Sequence, residues 1–184
     1  YRSVTLYIDV MKVNKLPFLV TISRAIKFGT TGWLKNAKAD TLLSQLEQVH
    51  RIYRQRGFKV ETIEADGQFE PLWDAFTGMK IRLNKCSRAE HVPVIERCIR
   101  TLKERCRCMY NARGYTKLPG QLVSQMVSTS NFWLNVYPPT DGVSGNINPR
   151  ELITGVEIDA SKHIVLEFGE YVQTHEEHDN TMST

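Results

Sequence analysis

Hydrophobic and polar residues alternate along the first part of the chain in the manner of β-strands. Val4–Val10 and Pro17–Ser23 are rich in β-branched and aromatic residues and predict two strands, with a polar turn over Met11–Leu16 between them. A third, weaker strand is predicted from Ile26 to Leu34. Three short strands joined by turns indicate an antiparallel meander.

The pattern then changes to the period of a helix. Helical spacing is shown by Leu42, Leu43, Leu46, Val49 and Tyr53, and it predicts a helix that starts at Asn36 or Asp40 and stops at Gly57. Strands and helices alternate from there on. The later elements are predicted as a strand over Phe58–Ala65, a short helix over Phe69–Phe76, a strand over Met79–Leu83, a long helix from Val92 to Asn111, a helix over Gly120–Tyr137, a turn-rich loop over Asp141–Asn148 and one or two strands within Ile164–Gln173, before an aperiodic tail.

Strands that alternate with helices after an antiparallel start predict an α/β fold, with helices packed on a mixed sheet. The length of 184 residues fits one domain or one domain with an appendage. No apolar stretch is long enough to span a membrane, and no leader marks the chain for export. We expect a fragment of a longer polypeptide, because the chain starts at Tyr1 and not at Met.

Charge is distributed unevenly along the chain. Lys80 to Lys117 holds 11 basic and 3 acidic residues, a net charge of +8, whereas Asp141 to Thr184 holds 2 basic and 9 acidic residues, a net charge of −7. A strongly basic segment is typical of a protein that binds a polyanion, nucleic acid first. A solvated helix face explains the same charge, so charge alone leaves both interpretations open.

Three acidic residues stand where strands and a helix could bring them together. Asp9 interrupts an apolar strand, Asp66 follows a strand and precedes Gly67, and Glu96 lies in the first turns of the long helix. Converging carboxylates suit Mg²⁺ or Mn²⁺, and two such ions promote phosphodiester chemistry. Each acid also has a simpler interpretation: an edge or turn residue for Asp9, an ordinary Asp-Gly turn for Asp66, and a helix-start acid for Glu96.

Basic residues accompany Glu96 on the same helix. Arg100, Lys103 and Arg107 follow it at spacings of four, seven and eleven residues and therefore share its exposed flank. With Arg97, they are the predicted DNA-binding residues. They would hold the DNA backbone over the metal ions.

The cysteines predict reduced thiols. Cys86, Cys98, Cys106 and Cys108 lie in one short stretch, and on a helix Cys106 and Cys108 would face apart. A zinc site is disfavoured, because the cysteine spacing does not match common zinc clusters. The remaining candidate ligands are His163 and the His175–His178 segment, and the latter lies in the aperiodic tail.

At these residues the chain resembles the integrase catalytic cores of copia-type long-terminal-repeat retrotransposons. The similar blocks are TLYIDVMKVNKLPFLVTISRAIKF, KADTLLSQLEQVHRIYRQRGFKVETIEADGQFE, IERCIRTLKER and NFWLNVYPPTDGVSGNINPRELITGVEID. The resemblance implies a ribonuclease H-like fold: a mixed five-stranded sheet, with three antiparallel strands followed by alternating helices and strands, flanked by helices. Residues 1–137 would form the catalytic core, and residues 138–184 a small post-core extension with short strands and a disordered tail.

The resemblance also implies the site and its chemistry. Asp9, Asp66 and Glu96 match the family's three catalytic metal ligands, which hold two Mg²⁺ or Mn²⁺ ions. The reaction would be phosphoryl transfer without a covalent enzyme intermediate, first trimming the element's DNA ends and then joining them to target DNA. The expected partners are DNA and further copies of the chain, with no membrane and no small-molecule substrate. The expected location is intracellular, and nuclear when chromosomal DNA is the target.

The sequence departs from the family at two places near the site. Gly67-Gln68 follow Asp66 where the family has Asn-Gly, and Glu90-His91-Val92-Pro93 replace the small polar turn before the helix. The interval between Asp66 and Glu96 is also shorter than in the family, at 29 residues, and Glu90 is therefore an alternative third ligand. Two other functions stay open: a degenerate integrase relic that binds DNA or a partner without cutting, and a ribonuclease H-like nuclease or transposase of another lineage.

Overall fold

A computed structural model describes residues 2–85, 93–112, 114, 116–163 and 165–173. The strands are β1 (Ser3–Val13), β2 (Leu16–Ser23), β3 (Gly29–Trp33), β4 (Lys59–Ala65) and β5 (Arg82–Lys85). The helices are α1 (Ala39–Gln55), α2 (Trp73–Gly78), α3 (Pro93–Asn111), α4 (Gly120–Val136), α5 (Pro149–Thr154) and α6 (Ala160–His163), with a 3₁₀-helix over Gly67–Leu72.

The strands form one five-stranded sheet in the order β3-β2-β1-β4-β5. The first three strands pair antiparallel, while β4 pairs parallel with β1, and β5 pairs parallel with β4. This arrangement confirms the predicted mixed α/β sheet. It also makes β1 the central strand, with neighbours on both sides.

Alternation along β1 assigns its side chains to the two faces of the sheet. Leu6 and Ile8 belong to the core cluster on the α1 side, together with Leu46. Tyr7 and Met11 belong to the cluster on the opposite face, which α3 and α4 cover. Because strand side chains alternate with period two, Asp9 lies on the α3 side, between Tyr7 and Met11.

The predicted turn between the first two strands was too long. Only Asn14 and Lys15 form it, both with positive φ (48° and 66°), as tight hairpin turns require. Met11 instead pairs with Phe18 and is buried in the α3-side core. Burial of Met11 therefore extends β1 beyond the predicted end at Val10.

Two other predicted strands begin three residues later than expected. The third strand starts at Gly29, although Phe28 and Ile26 before it are buried in the core. The fifth strand starts at Arg82 and not at Met79, which still caps α2. Lys80 has φ 59°, so the chain turns there and cannot enter a strand until after it.

The long helices match their predictions closely. Helix α1 ends at Gln55, and Gly57 follows with φ 75°, in the left-handed conformation that glycine adopts without strain. Helices α3 and α4 end at Asn111 and Val136, although Val92, the predicted start of α3, lies outside the described residues. The predicted short helix is a 3₁₀-helix followed by α2.

The C-terminal segment differs from its prediction. The described residues 165–173 contain no strand, and the tail from Thr174 lies outside the described residues. A short helix, α5, was not predicted, although its signals are in the sequence: the side chain of Asn148 accepts a hydrogen bond from the Glu151 backbone N–H at 2.8 Å, and Gly155 follows with φ 70°. The division at residue 137 stays a prediction.

The cysteines of α3 are free thiols. Cys106 is buried and Cys108 is exposed, which confirms that the two face apart. Cys98 is also free, while Cys86 and the His175–His178 segment lie outside the described residues. Among the described helices, none combines the length and the hydropathy needed to cross a bilayer.

Candidate active site

Asp9 occupies the middle of the central strand. Its side chain is half-buried, and its Oδ1 accepts a hydrogen bond from the backbone N–H of Val10 at 2.6 Å. Burial raises the pKa of the Asp9 carboxyl, the Val10 hydrogen bond opposes this effect, and the negative charges of Asp66 and Glu96 raise the pKa further. The charges of the other two predicted acids, Asp66 and Glu96, therefore both act on the Asp9 carboxyl.

Strand register explains why Asp66 comes near Asp9. In the parallel pair of β1 and β4, Tyr7 is paired with Glu64. Asp9 and Asp66 each follow these partners by two residues, so both point toward the same face of the sheet. Asp66 itself is exposed and caps the 3₁₀-helix, its Oδ1 accepting a hydrogen bond from the backbone N–H of Gln68 at 3.1 Å.

Gln68 contacts both strand acids. Besides the backbone bond to Asp66, its side-chain Nε2 donates a hydrogen bond to Asp9 Oδ1 at 3.4 Å. Sequence reasoning noted Gln68 only as a departure from the family and assigned it no role. The identity of its contact depends on the register of two strands, which the sequence near Gln68 does not encode.

Glu96 enters the site from α3. It lies in the first turn of that helix, is exposed, and lines an open cavity of about 330 Å³ together with Asp9. Glu90, the alternative ligand, and the rest of the segment before Pro93 lie outside the described residues.

The same cavity contains the predicted basic flank of α3. Arg100, Lys103 and Arg107 line it beside the two acids, and Ile99 completes its wall. The positive charge of Lys103 lowers the pKa of Asp9, although burial and the two neighbouring acids outweigh it. A cavity lined by two acids and three cations offers groups that can bind a metal ion and groups that can bind phosphate oxygens.

Arg97 has a different position. It does not line this cavity, and its charge acts on Asp141, whose pKa is lowered first by a hydrogen bond from Lys27. Residues one apart on a helix do not share a face, so Arg97 diverges from Glu96.

The three predicted acids do not form a complete ligand set: Asp9 and Glu96 line one cavity, and Asp66 is not among its lining residues. In the part of the chain that the structure describes, no three His, Cys, Asp or Glu side chains stand as a group that could hold a metal ion. The donor chemistry nevertheless fits a divalent cation, because carboxylate oxygens are the ligands that Mg²⁺ and Mn²⁺ take in proteins. Burial is the main reason that the pKa of Asp9 is raised, and a cation between the acids would offset the further rise caused by the charges of Asp66 and Glu96.

Comparisons with known proteins identify the fold. No protein-family model and no curated protein sequence matches the chain. Among solved structures, the chain is similar to the catalytic core domain of BIV integrase, with a TM-score of 0.55 and 18% identity over 81% of this chain and 92% of that one. The fold is therefore the ribonuclease H-like fold of integrase catalytic cores, as predicted.

Proposed function

We propose that this chain is the catalytic core of an integrase and carries out metal-dependent phosphoryl transfer on DNA. The observation that carries the proposal is that Asp9 and Glu96 line one cavity together with Arg100, Lys103 and Arg107. The charges of Asp66 and Glu96 both act on Asp9, and the sheet that holds Asp9 is similar to that of an integrase catalytic core. Asp9 and Glu96 line one cavity and the charge of Asp66 acts on Asp9, which supports a shared role for the three acids.

Each residue has a role in this proposal. Asp9, Asp66 and Glu96 would hold two Mg²⁺ or Mn²⁺ ions. Such ions, when bound, polarise a phosphodiester and activate the attacking oxygen. Arg100, Lys103 and Arg107 would bind the phosphates on either side of the reacting one, because guanidinium and ammonium groups pair well with phosphate oxygens. No side chain needs to form a covalent intermediate.

The finer assignment rests on the sequence resemblance. We propose a copia-type retrotransposon integrase that trims the element's DNA ends and joins them to target DNA, acting in the nucleus on chromosomal DNA and as an oligomer. The core blocks quoted above cover both strand acids, Glu96, Arg100 and Lys103, and Arg107 lies two residues beyond them.

A strand-transfer assay tests the activity. A short duplex that mimics an element end is incubated with target plasmid and Mn²⁺, using wild type, Asp66→Asn and the control Asp74→Asn, an exposed acid of α2. We expect joined product from wild type and from the control, and none from Asp66→Asn, while all three bind the duplex equally. Product from Asp66→Asn at the wild-type rate would remove Asp66 from the chemistry.

Two observations favour the second candidate, a relic that binds DNA without cutting it. Gln68 donates an amide to Asp9 where the resembled family has glycine, and the described acids form no complete ligand set. The same assay separates the two. Duplex binding by wild type without any joined product, in Mn²⁺ or Mg²⁺, would assign the relic function.

A further inference from the structure

A second, larger cavity adjoins the candidate active site. It has a volume of about 720 Å³ and lies between the end of β1, the second half of α3 and the segment that leads into α4. This size falls within the roughly 300–1,000 Å³ of cavities that bind small organic groups. A DNA duplex is too wide to enter it.

The rim of this cavity is positively charged. Lys12, Lys103, Arg107 and Lys117 line it, and no acidic side chain does so among the described residues. Lys12 and Lys117 are exposed, so their ammonium groups are available to a ligand from solvent. An anion entering the cavity therefore meets cations from three separate parts of the chain.

The floor of the cavity is apolar. Cys106, Val123 and Met126 form it and are buried in the α3-side core. Tyr110 adds an aromatic wall, held in place because its hydroxyl donates a hydrogen bond to the Thr116 carbonyl at 2.9 Å. A free phosphate would contact the charged rim but leave this floor uncovered, whereas a nucleotide offers both a phosphate and a flat base whose faces stack on aromatic and apolar side chains.

Two residues belong to both cavities. Lys103 and Arg107 line the cavity of Asp9 and Glu96 as well as the larger one. A DNA strand whose phosphates follow these two side chains away from the acids leads directly into the second cavity. We propose that this cavity binds an unpaired nucleotide of the DNA strand that lies in the active site, its phosphate on Lys12 and Lys117 and its base against Tyr110. This proposal rests on the proposed function.

Fluorescence anisotropy on the intact chain tests it with two labelled DNA probes. One is a blunt duplex, and the other is the same duplex with two unpaired nucleotides at one end. We expect wild type to bind the unpaired end about tenfold more tightly, since stacking one base on an aromatic side chain contributes about 1–3 kcal/mol.

Two variants separate the cavity from the surrounding charge. Thr116→Trp fills the cavity and keeps every cation, because Thr116 is an exposed lining residue. We expect it to lose the preference for the unpaired end and to bind the blunt duplex as wild type does. Lys117→Ala should reduce the preference severalfold, again with unchanged blunt-duplex affinity. Ala37→Trp and Lys35→Ala, exposed and outside the lining of this cavity, are the matched controls.

The outcomes distinguish a failure of the cavity assignment from a failure of the proposed function on which it rests. Equal wild-type affinity for both probes overturns the cavity assignment and leaves the proposed function standing. Retention of the full preference by Thr116→Trp, with its circular dichroism unchanged, also overturns it. Should Thr116→Trp fail to fold, Lys117→Ala decides: equal losses on both probes contradict the proposal. Absence of wild-type binding to either probe overturns the DNA-binding function itself.

Discussion

Gln68 donates its side-chain amide to the same Asp9 oxygen that accepts the Val10 backbone N–H, at 3.4 Å and 2.6 Å respectively. Such a donor competes with any cation for that oxygen. The bond is long and exposed, and hydrogen bonds contribute about 0.5–1.5 kcal/mol net. Gln68 is therefore a modest obstacle to metal binding at Asp9.

Gln68→Ala is expected to tighten Mn²⁺ binding by about two- to tenfold, in line with that contribution. Isothermal titration calorimetry of wild type and variant measures the change. Glu70→Ala, which alters a nearby exposed residue paired with Lys85, is the control and should leave the affinity unchanged. Weaker Mn²⁺ binding by Gln68→Ala would instead make Gln68 a supporting residue of the site.

Asp9→Asn should stabilise the metal-free protein at neutral pH. The folded protein raises the pKa of Asp9 above 3.8, so the ionised carboxyl is more costly in the folded state than in the unfolded one. Stability is thus lost as pH rises from 3.8 through the raised pKa. In EDTA, we expect a higher Tm for Asp9→Asn at pH 7 and a gain that shrinks toward pH 4. A gain that grows on acidification would contradict this sign.

Arg100→Ala should weaken DNA binding for all sequences alike. The slope of log K against log salt is negative, and loss of one phosphate contact makes it less negative by about 0.9 on duplex DNA. Arg97→Ala is the comparison on the same helix, and we expect a smaller change, because Arg97 acts on Asp141 and not on the cavity. Anisotropy at four salt concentrations measures both slopes. A larger effect from Arg97→Ala would move the DNA path to the other face of α3.

The thiols of α3 should differ in reactivity. Burial raises the pKa of Cys98 to about 11, whereas Cys108 is exposed. At pH 8 the Cys98 thiolate fraction is then about one in a thousand, so we expect iodoacetamide to label Cys108 first and Cys98 only as pH approaches 11. Peptide mapping by mass spectrometry resolves the cysteines. Equal labelling of Cys98 and Cys108 at pH 8 would contradict the burial of Cys98.

Asn135 should be important for stability through a contact with Gly29, 106 residues away. Its amide accepts the Gly29 N–H and donates to the Gly29 carbonyl, both at 2.8 Å. Asn135→Ala leaves a buried N–H unpaired, at a cost of about 1–3 kcal/mol. Asn131 also donates its side-chain amide to the Gly29 carbonyl, at 2.9 Å. Asn131→Ala should cost less, because that carbonyl still accepts the hydrogen bond from Asn135. Urea denaturation measures both, and a larger cost for Asn131→Ala would reverse this ranking.

Local pattern predicted the parts of the fold that local geometry controls. The alternation along β1 and the glycine after α1 were sufficient to place those elements. Met11 and Lys80 were misjudged because tertiary burial extended one strand and a positive φ delayed another. The strands predicted within Ile164–Gln173 are absent from the described residues 165–173, because strand propensity alone does not form a strand unless a neighbouring strand pairs with it.

In the site, too, local pattern predicted the positions set by one helix and missed the contacts set by tertiary structure. Helical spacing placed Glu96, Arg100 and Lys103 on one flank, and all three line the cavity. Arg97, one residue from Glu96, was included on its charge alone, and the helix turns it away. Gln68 could not be assigned a partner, because its contact with Asp9 joins positions 59 residues apart.

The central claim is that Asp9, Asp66 and Glu96 together hold divalent cations. Loss of the free Mn²⁺ electron paramagnetic resonance signal, with duplex DNA present, measures the ions bound per chain. We predict two bound ions for wild type and for the control Glu104→Gln, an exposed acid elsewhere on α3. Asp66→Asn and Glu96→Gln should each lose at least one ion. Equal binding by all four proteins would contradict the claim.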